Sequence, residues 1–342
     1  MEYRSLGRTG VKVSELCLGC WMFGRRTEAQ DAYAMVDQAV DAGVNFVDTA
    51  NVYSRGKSEE MLGEALKRNK KRSRVVLATK VHGNMDDEDP NSRGNSRRHI
   101  IEQCEANLRR LQTDYIDLYQ IHYPMPDIPI DETLRALDDL IHLGKVRYIG
   151  CSTFSAWAIL ESLWVSKELG LNRFVCDQPP YNLMDRRIER EVIPMAQTYG
   201  LAIIPWSPLA GGFLTGKYKR SQAAPEGSRY SKGAIMENSW EKRSLTDRAY
   251  DVVEALEPMA KEKGCSMSQL VLAWVAAQPG ITSPIIGPRT VEQLVDNLGS
   301  VDIEISDDDR ARIDGVVPPA SMIMPYPRGG KDEVGKPHPY RW

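Results

Sequence analysis

The feature that most constrains this chain is a rhythm. Eight short apolar, often β-branched runs alternate strictly with eight longer amphipathic stretches. The runs cover residues 15–18, 45–48, 75–80, 115–121, 146–152, 174–178, 202–206 and 283–286. The stretches cover 27–41, 58–67, 99–111, 131–142, 155–169, 187–199, 247–263 and 291–298. Such alternation argues for parallel strands with helices packed outside them. Local punctuation agrees: Asp41-Ala42-Gly43 and Leu143-Gly144 are glycine helix stops, each followed at once by a strand. Ser58, with Glu59 and Glu60 behind it, suits a helix start. No G-x-G-x-x-G follows the first run, so the fingerprint of an open, doubly wound dinucleotide-binding sheet is missing. The expected architecture is an α/β (β/α)8 barrel.

Residues 3–6 and 11–13 flank Gly7-Arg8-Thr9-Gly10 and predict a β-hairpin ahead of the barrel. Residues 209–246 read as a long loop after strand seven, and 268–278 as a further helix near it. No linker divides the chain, so one domain over 1–342 is expected. Within it, 315–342 is a tail rich in proline and glycine, expected along the surface or partly disordered.

Charge excludes some functions. Lys and Arg total 44 against 47 Asp and Glu, a net charge of −3, which suits neither nucleic acid nor an acidic membrane. No apolar run approaches the roughly 20 residues that span a bilayer. The opening Met1-Glu2-Tyr3-Arg4 carries no signal-peptide pattern. Six cysteines, mostly in apolar segments, read as reduced core residues, so a cytoplasmic location is expected. Cys17 and Cys20 form an isolated C-x-x-C with no second pair and no histidine at ligand spacing. The strand assignment also turns them to opposite faces.

In a parallel barrel the chemistry gathers where strands end. The polar residues that end the runs are Asp48, Lys80, His122, Ser152, Gln178 and Trp206-Ser207, with Tyr53 shortly after Asp48. Lys80, closing an apolar strand, needs a counter-ion that Asp48 can supply. A lysine held charged beside Tyr53 is expected to pull the phenol pKa down from about 10. A tyrosine so tuned can protonate a carbonyl oxygen, and His122 can donate a hydrogen bond to the same atom. A buried salt bridge and a packing histidine are the plainer alternatives.

Asp48, Tyr53, Lys80 and His122 match the Asp-Tyr-Lys-His tetrad of the aldo-keto reductases in type, order and strand position. Supporting stretches are Tyr3-Arg4-x-Leu6-Gly7, Asn45-x-x-Asp48-Thr49-Ala50-x-x-Tyr53, Leu108-x-x-Leu111-x-x-Asp114-Tyr115-x-Asp117-Leu118 and Gly144-Lys145-x-Arg147-Tyr148-Ile149-Gly150. From Tyr3 to about Leu298 the chain resembles that family. Trp206-Ser207-Pro208-Leu209-Ala210-Gly211-Gly212-x-Leu214-x-Gly216-Lys217-Tyr218 resembles the branch holding potassium-channel β-subunits and bacterial general-stress and sugar-aldehyde reductases.

The resemblance implies NADPH/NADP+ across the barrel mouth and a small-molecule carbonyl substrate. It implies Asp48, Tyr53, Lys80 and His122 as catalytic residues, and Trp206 stacked on the nicotinamide. Ser152 and Gln178 would bind the carboxamide, and Ser207, Leu209, Gly211 and Lys217 the pyrophosphate. Gly287 and Arg289 would hold the 2′-phosphate, with Gln293 and Asn297 near the adenine. Helix N–H groups and a bidentate guanidinium suit such a phosphate. Trp21 and Met22 are expected to line the cofactor and substrate pocket, Met22 suiting the core nearly as well. Residues 86–97 and 125–129 are expected among its walls. Where the family has Ser-Asn after strand five, this chain has Ser152-Thr153. Threonine replaces an amide with a hydroxyl there.

Three other readings fit less well. Gly211 to Lys217 spells G-x-x-x-x-G-K, but Tyr218 stands where a nucleotide-hydrolysing loop needs a hydroxyl for Mg2+. The histidines at 82, 99, 122, 142 and 338 are scattered, unlike the clustered ligands of a metallohydrolase. A cofactor-loaded regulatory subunit shares the fold, and the complete tetrad argues against it.

Overall fold

A computed structural model describes residues 1–234 and 245–324 of the 342. The chain opens with β1 (Tyr3–Ser5) and β2 (Lys12–Ser14), paired antiparallel as the expected hairpin. Its turn needs Gly7, at φ +58°, where a Cβ would lie 2.6 Å from the carbonyl oxygen of Val175. The hairpin therefore sits flat against one end of the barrel that follows.

Eight strands make that barrel: β3 (Cys17–Gly19), β4 (Phe46–Asp48), β5 (Val76–Val81), β6 (Ile116–Ile121), β7 (Val146–Ser152), β8 (Phe174–Gln178), β9 (Ala202–Ile203) and β10 (Ile285–Ile286). All pair in parallel, in the order β10-β3-β4-β5-β6-β7-β8-β9. The two edges close on each other through Thr282 N–H to the Ile203 carbonyl and Ile285 N–H to the Pro205 carbonyl, both 2.8 Å. The fold is the expected (β/α)8 barrel.

Around it run α1 (Ala29–Asp41), α2 (Lys57–Arg68), α3 (Arg97–Leu111), α4 (Ile130–His142), α5 (Ala156–Leu169), α6 (Val192–Tyr199), α7 (Asp247–Glu262), α8 (Met267–Ala276), α9 (Val291–Leu298) and α10 (Asp307–Val316). Sequential helices from α1 to α5 pack side by side, and α9 packs back on α1 to complete the ring. One large apolar cluster fills the layer between sheet and helices. A second lies inside the barrel, where Leu6 and Val13 of the hairpin region meet Phe46, Ala78, Leu118 and Cys176. The hairpin thus plugs one end and leaves the other for chemistry.

Several boundaries differ from the sequence reading for identifiable reasons. Proline has no N–H to give a ladder, so β9 stops short of Pro205 and β10 begins after Pro284. The stretch expected as one helix over 187–199 divides into a 3-10 turn, Arg187–Glu189, and α6. Starting at Val192 puts Pro194 in the first helical turn, where its missing N–H costs nothing. The additional helix near 268–278 is α8, opened by a capping box between Ser266 and Gln269. Helix α10 was not expected, although Ser306 and Asp309 form a capping box that signals it.

Of the tail, residues up to Met324 lie against 184–186, with Ile323 N–H and Met324 N–H both reaching the Met184 carbonyl. Residues 325–342 of the tail and 235–244 of the long loop lie outside the described residues. No helix among the described residues is long and apolar enough to cross a membrane.

Candidate active site

Side chains along a strand alternate in direction, so residues two apart share a face. On four barrel strands this alternation turns an apolar interior layer into a polar one. Phe46 is followed by Asp48, Ala78 by Lys80, Leu118 by Gln120 and Cys176 by Gln178. The four polar residues form one network. The Lys80 ammonium contacts Asp48 Oδ1 directly. Gln120 Nε2 and Gln178 Nε2 donate to Asp48 Oδ2 at 3.0 and 2.9 Å, and Gln178 Nε2 also reaches Gln120 Oε1 at 3.0 Å. Lys80 is fully buried, so its charge is matched by Asp48 and by the Thr49 carbonyl at 2.8 Å.

Tyr53 stands over this layer. Lys80 Nζ lies 3.3 Å from its hydroxyl, and the His122 ring meets the Tyr53 ring edge-on with centroids 5.7 Å apart. All four tetrad residues therefore come together. The phenol is not acidified as the sequence led us to expect. Burial pushes Tyr53 up to about 12, and the opposing charge of Lys80 does not overcome it. Burial acts to lower Lys80, but Asp48 and the Tyr53 hydroxyl outweigh it and hold the ammonium charged. His122 is driven well below its usual value, first by burial and then by Lys80 and His82. At neutral pH the site presents a protonated phenol beside a neutral imidazole, which is what a proton donor with a hydrogen-bonding partner requires.

The backbone after Tyr53 is unusual. Ser54 and Arg55 adopt φ of +50° and +51°, a left-handed pair in residues that have a Cβ. Side chains hold it: Ser54 Oγ donates to the Phe23 carbonyl at 3.0 Å, and Arg55 grips Asp87 through two nitrogens at 3.0 and 3.1 Å. Strain of this kind persists only where the surroundings impose it.

A cavity of about 890 Å³ opens above the tetrad, bordered by Asp48, Tyr53 and His122 and extending to Arg289. Every position singled out for a cofactor reaches it: Trp21, Asp48, Ser152, Gln178, Trp206, Ser207, Leu209, Gly211, Lys217, Gly287, Arg289, Gln293 and Asn297. Met22 is buried and also reaches the cavity, so it serves core and wall together. Far from the tetrad, burial and then the charges of Arg229 and Arg289 pull the Lys217 pKa down. Cations crowded in this way, with glycine backbone at 211, 212 and 287 beside them, fit a phosphate-bearing dinucleotide.

Two expected wall segments depart from expectation. Residues 86–97 and 125–129 are absent from the cavity wall, which Val52, Ser54 and Tyr123 form instead. The acidic loop instead makes the pairs Arg55–Asp87 and Arg98–Asp89, and its Gly94 packs on Met125. Thr153 does not reach the cavity; it is buried at φ +63°, a conformation that disfavours a β-branched residue. Gln293 Oε1 accepts from the Arg289 backbone N–H at 2.9 Å, so it also shapes the turn that carries Arg289.

Sequence reasoning missed the 225–229 segment. Arg26 and Arg289 each donate to the Gly227 carbonyl, at 3.0 and 2.7 Å, and fasten this segment beside the cavity. Arg229 lies 4.9 Å from the centre of the Trp21 ring. No periodic pattern marks these residues. Cys17 and Cys20 belong to different clusters, and both are buried. No group of three or more His, Cys, Asp or Glu among the described residues could hold a metal.

The Aldo/keto reductase family model matches residues 15–318, most of the chain. The chain belongs to the aldo/keto reductase family. A probable voltage-gated potassium channel subunit beta of Oryza sativa subsp. japonica is 40% identical over 308 residues, 89% of this chain and 92% of the relative. An uncharacterized oxidoreductase, YrpG, of Bacillus subtilis (strain 168) is 40% identical over 313 residues, with the same shares covered. A probable voltage-gated potassium channel subunit beta of Arabidopsis thaliana is 38% identical over 308 residues, again 89% and 92%. The aldo/keto reductases are a family of oxidoreductases that generally use nicotinamide dinucleotides and act on small carbonyl compounds.

Proposed function

We propose that this chain reduces aldehydes or ketones to alcohols with NADPH, in the cytoplasm, with Tyr53 as general acid. The observation that carries the reading is the Tyr53 hydroxyl, 3.3 Å from a buried, charged Lys80, at the wall of the cavity that also takes in Arg289. NADPH, when bound, supplies the hydride. The chain's own residues do the rest. Tyr53 and His122 donate hydrogen bonds to the carbonyl oxygen and fix its position. Tyr53 releases its proton to that oxygen as negative charge develops there. Lys80, held by Asp48, stabilises the phenolate that remains. Ser152 and Gln178 orient the nicotinamide end, with Gln178 itself fixed by Asp48 and Gln120. Trp206 would stack on the nicotinamide and Trp21 would line the pocket for cofactor and substrate. Ser207, Leu209, Gly211 and Lys217 would hold the pyrophosphate, and Gly287, Arg289, Gln293 and Asn297 the adenosine end. Arg289 favours the 2′-phosphate of NADPH.

The test is the near-ultraviolet absorbance of NADPH with purified protein and a panel of aromatic, aliphatic and sugar aldehydes. Consumption that requires both an aldehyde and Tyr53 supports the reading. Consumption that Tyr53→Phe leaves intact would overturn the assignment of Tyr53.

The names of two similar plant proteins favour a second reading, a cofactor-loaded regulatory subunit. Protein that retains NADPH tightly and turns over no carbonyl would support it.

A further inference from the structure

Several charges around the cavity are already engaged. Asp48 and Lys80 neutralise each other, and Arg26 and Arg289 donate to backbone carbonyls of the 225–229 segment. Arg25 is different. Its guanidinium lies 5.0 Å from the centre of the Trp21 ring, and it forms no ion pair with any described residue. It borders the same cavity as Tyr53 and His122.

The fold puts Arg25 at the tetrad end. The segment after β3 turns back on itself, with Arg25 N–H bonded to the Met22 carbonyl at 3.1 Å. Its neighbour Gly24 is so close to the Tyr53 turn that a Cβ would lie 3.5 Å from that of Ser54. The Phe23 carbonyl accepts from Ser54 Oγ. Trp21, Met22 and Arg25 therefore share the cavity wall with Tyr53 and Ser54. Arg229 lies by the same indole, so two guanidiniums stand within 5.0 Å of its centre. A guanidinium resting on an aromatic ring keeps its in-plane N–H donors available for a carboxylate or phosphate. Arg25, with no carboxylate partner among the described residues, thus brings to the cavity a positive charge that a neutral aldehyde leaves unmatched.

We infer that the substrates of this site are aldehydes carrying an anionic group, carboxylate or phosphate monoester, on a short chain, and that Arg25 is the residue that selects them. The inference rests on the reductase reading of the same cavity. Arg25 touches the anionic end of the substrate, while Tyr53 and His122 hold the carbonyl end.

The test compares matched pairs on NADPH-loaded protein: 4-oxobutanoate against its methyl ester, and glycolaldehyde phosphate against glycolaldehyde. The expected result is a preference for the anionic member that weakens with added salt. In Arg25→Gln the anionic-to-neutral ratio of kcat/KM should fall at least about ten-fold, chiefly through KM. Arg25→Lys should restore part of it, and Arg25→Glu should invert it. The pair that loses more identifies carboxylate or phosphate as the preferred group. An unchanged ratio in Arg25→Gln overturns the inference, as does a rise in KM for NADPH alone, which would assign Arg25 to the cofactor. If no aldehyde is reduced, the reductase reading fails separately. Calorimetry with succinate and NADP+-loaded protein then decides: binding that Arg25→Gln weakens supports an anion site, and no binding refutes it.

Discussion

Lys80 and Asp48 meet in the barrel interior with neither exposed to solvent, and two amides, Gln120 and Gln178, occupy the other carboxylate oxygen. The pair is both a structural tie between β4 and β5 and the charge beneath Tyr53. Breaking one partner leaves an uncompensated buried charge, at a cost of about 3–5 kcal/mol. Lys80→Met is therefore expected to lower the denaturation midpoint sharply and abolish reduction. The double variant Asp48→Asn/Lys80→Met should recover much of the stability and none of the activity. Equal stability of the single and double variants would contradict the pairing.

Tyr53→Phe removes one hydroxyl and its contact with Lys80. A drop in kcat of at least about 100-fold is expected if general-acid transfer is lost. NADPH affinity, measured by fluorescence titration, should stay close to that of the unaltered chain.

The pH profile follows from the same site. Burial holds Tyr53 protonated up to about 12, and His122 stays neutral well below its usual range. The rate of reduction should be flat over roughly pH 6 to 9, with no inflection near the ordinary histidine value of about 6.5. A descending limb near neutrality would show that Tyr53 ionises earlier than its surroundings allow.

Asp177 is fully buried on β8, and burial pushes its carboxyl up to about 7. A raised carboxyl favours the fold while protonated, in full below about pH 4, and that contribution is lost as pH climbs through about 7. Asp177→Asn should therefore match the unaltered chain only below about pH 4 and exceed it at pH 8 by on the order of a few kcal/mol. Denaturant midpoints at the two pH values measure this, and a difference independent of pH would refute it.

Thr153 occupies φ +63° at the turn between β7 and α5. Thr153→Asn places there a residue that tolerates the left-handed region, and a gain of about 1 kcal/mol is expected. Thermal denaturation checks the sign.

The alternation of runs was enough to read the barrel, because period-two strands and period-3.6 helices leave a pattern in one dimension. The same alternation marks the tetrad: Asp48 and Lys80 each stand two residues beyond an interior apolar neighbour, at the strand end that must meet water or substrate. Helix α10 was legible too, through Ser306 and Asp309, and went unread.

Other features have no sequence signature. The segment at Gly227 reaches the cavity only because Arg26 and Arg289, distant in the chain, hold its carbonyl. Residues 86–97 are long and polar enough to wall a pocket, yet none of them borders the cavity, and Asp87 and Asp89 pair with Arg55 and Arg98 instead. The phenol of Tyr53 is set by a contest between desolvation and Lys80, and its outcome depends on how completely water is excluded. Sequence alone determined the order of strands and helices and the residue types at each strand end, since these follow from local periodicity. Tertiary structure decided which loops border the cavity, which cations lack a counter-charge and which way each pKa moves, because those depend on distances between groups far apart in the chain.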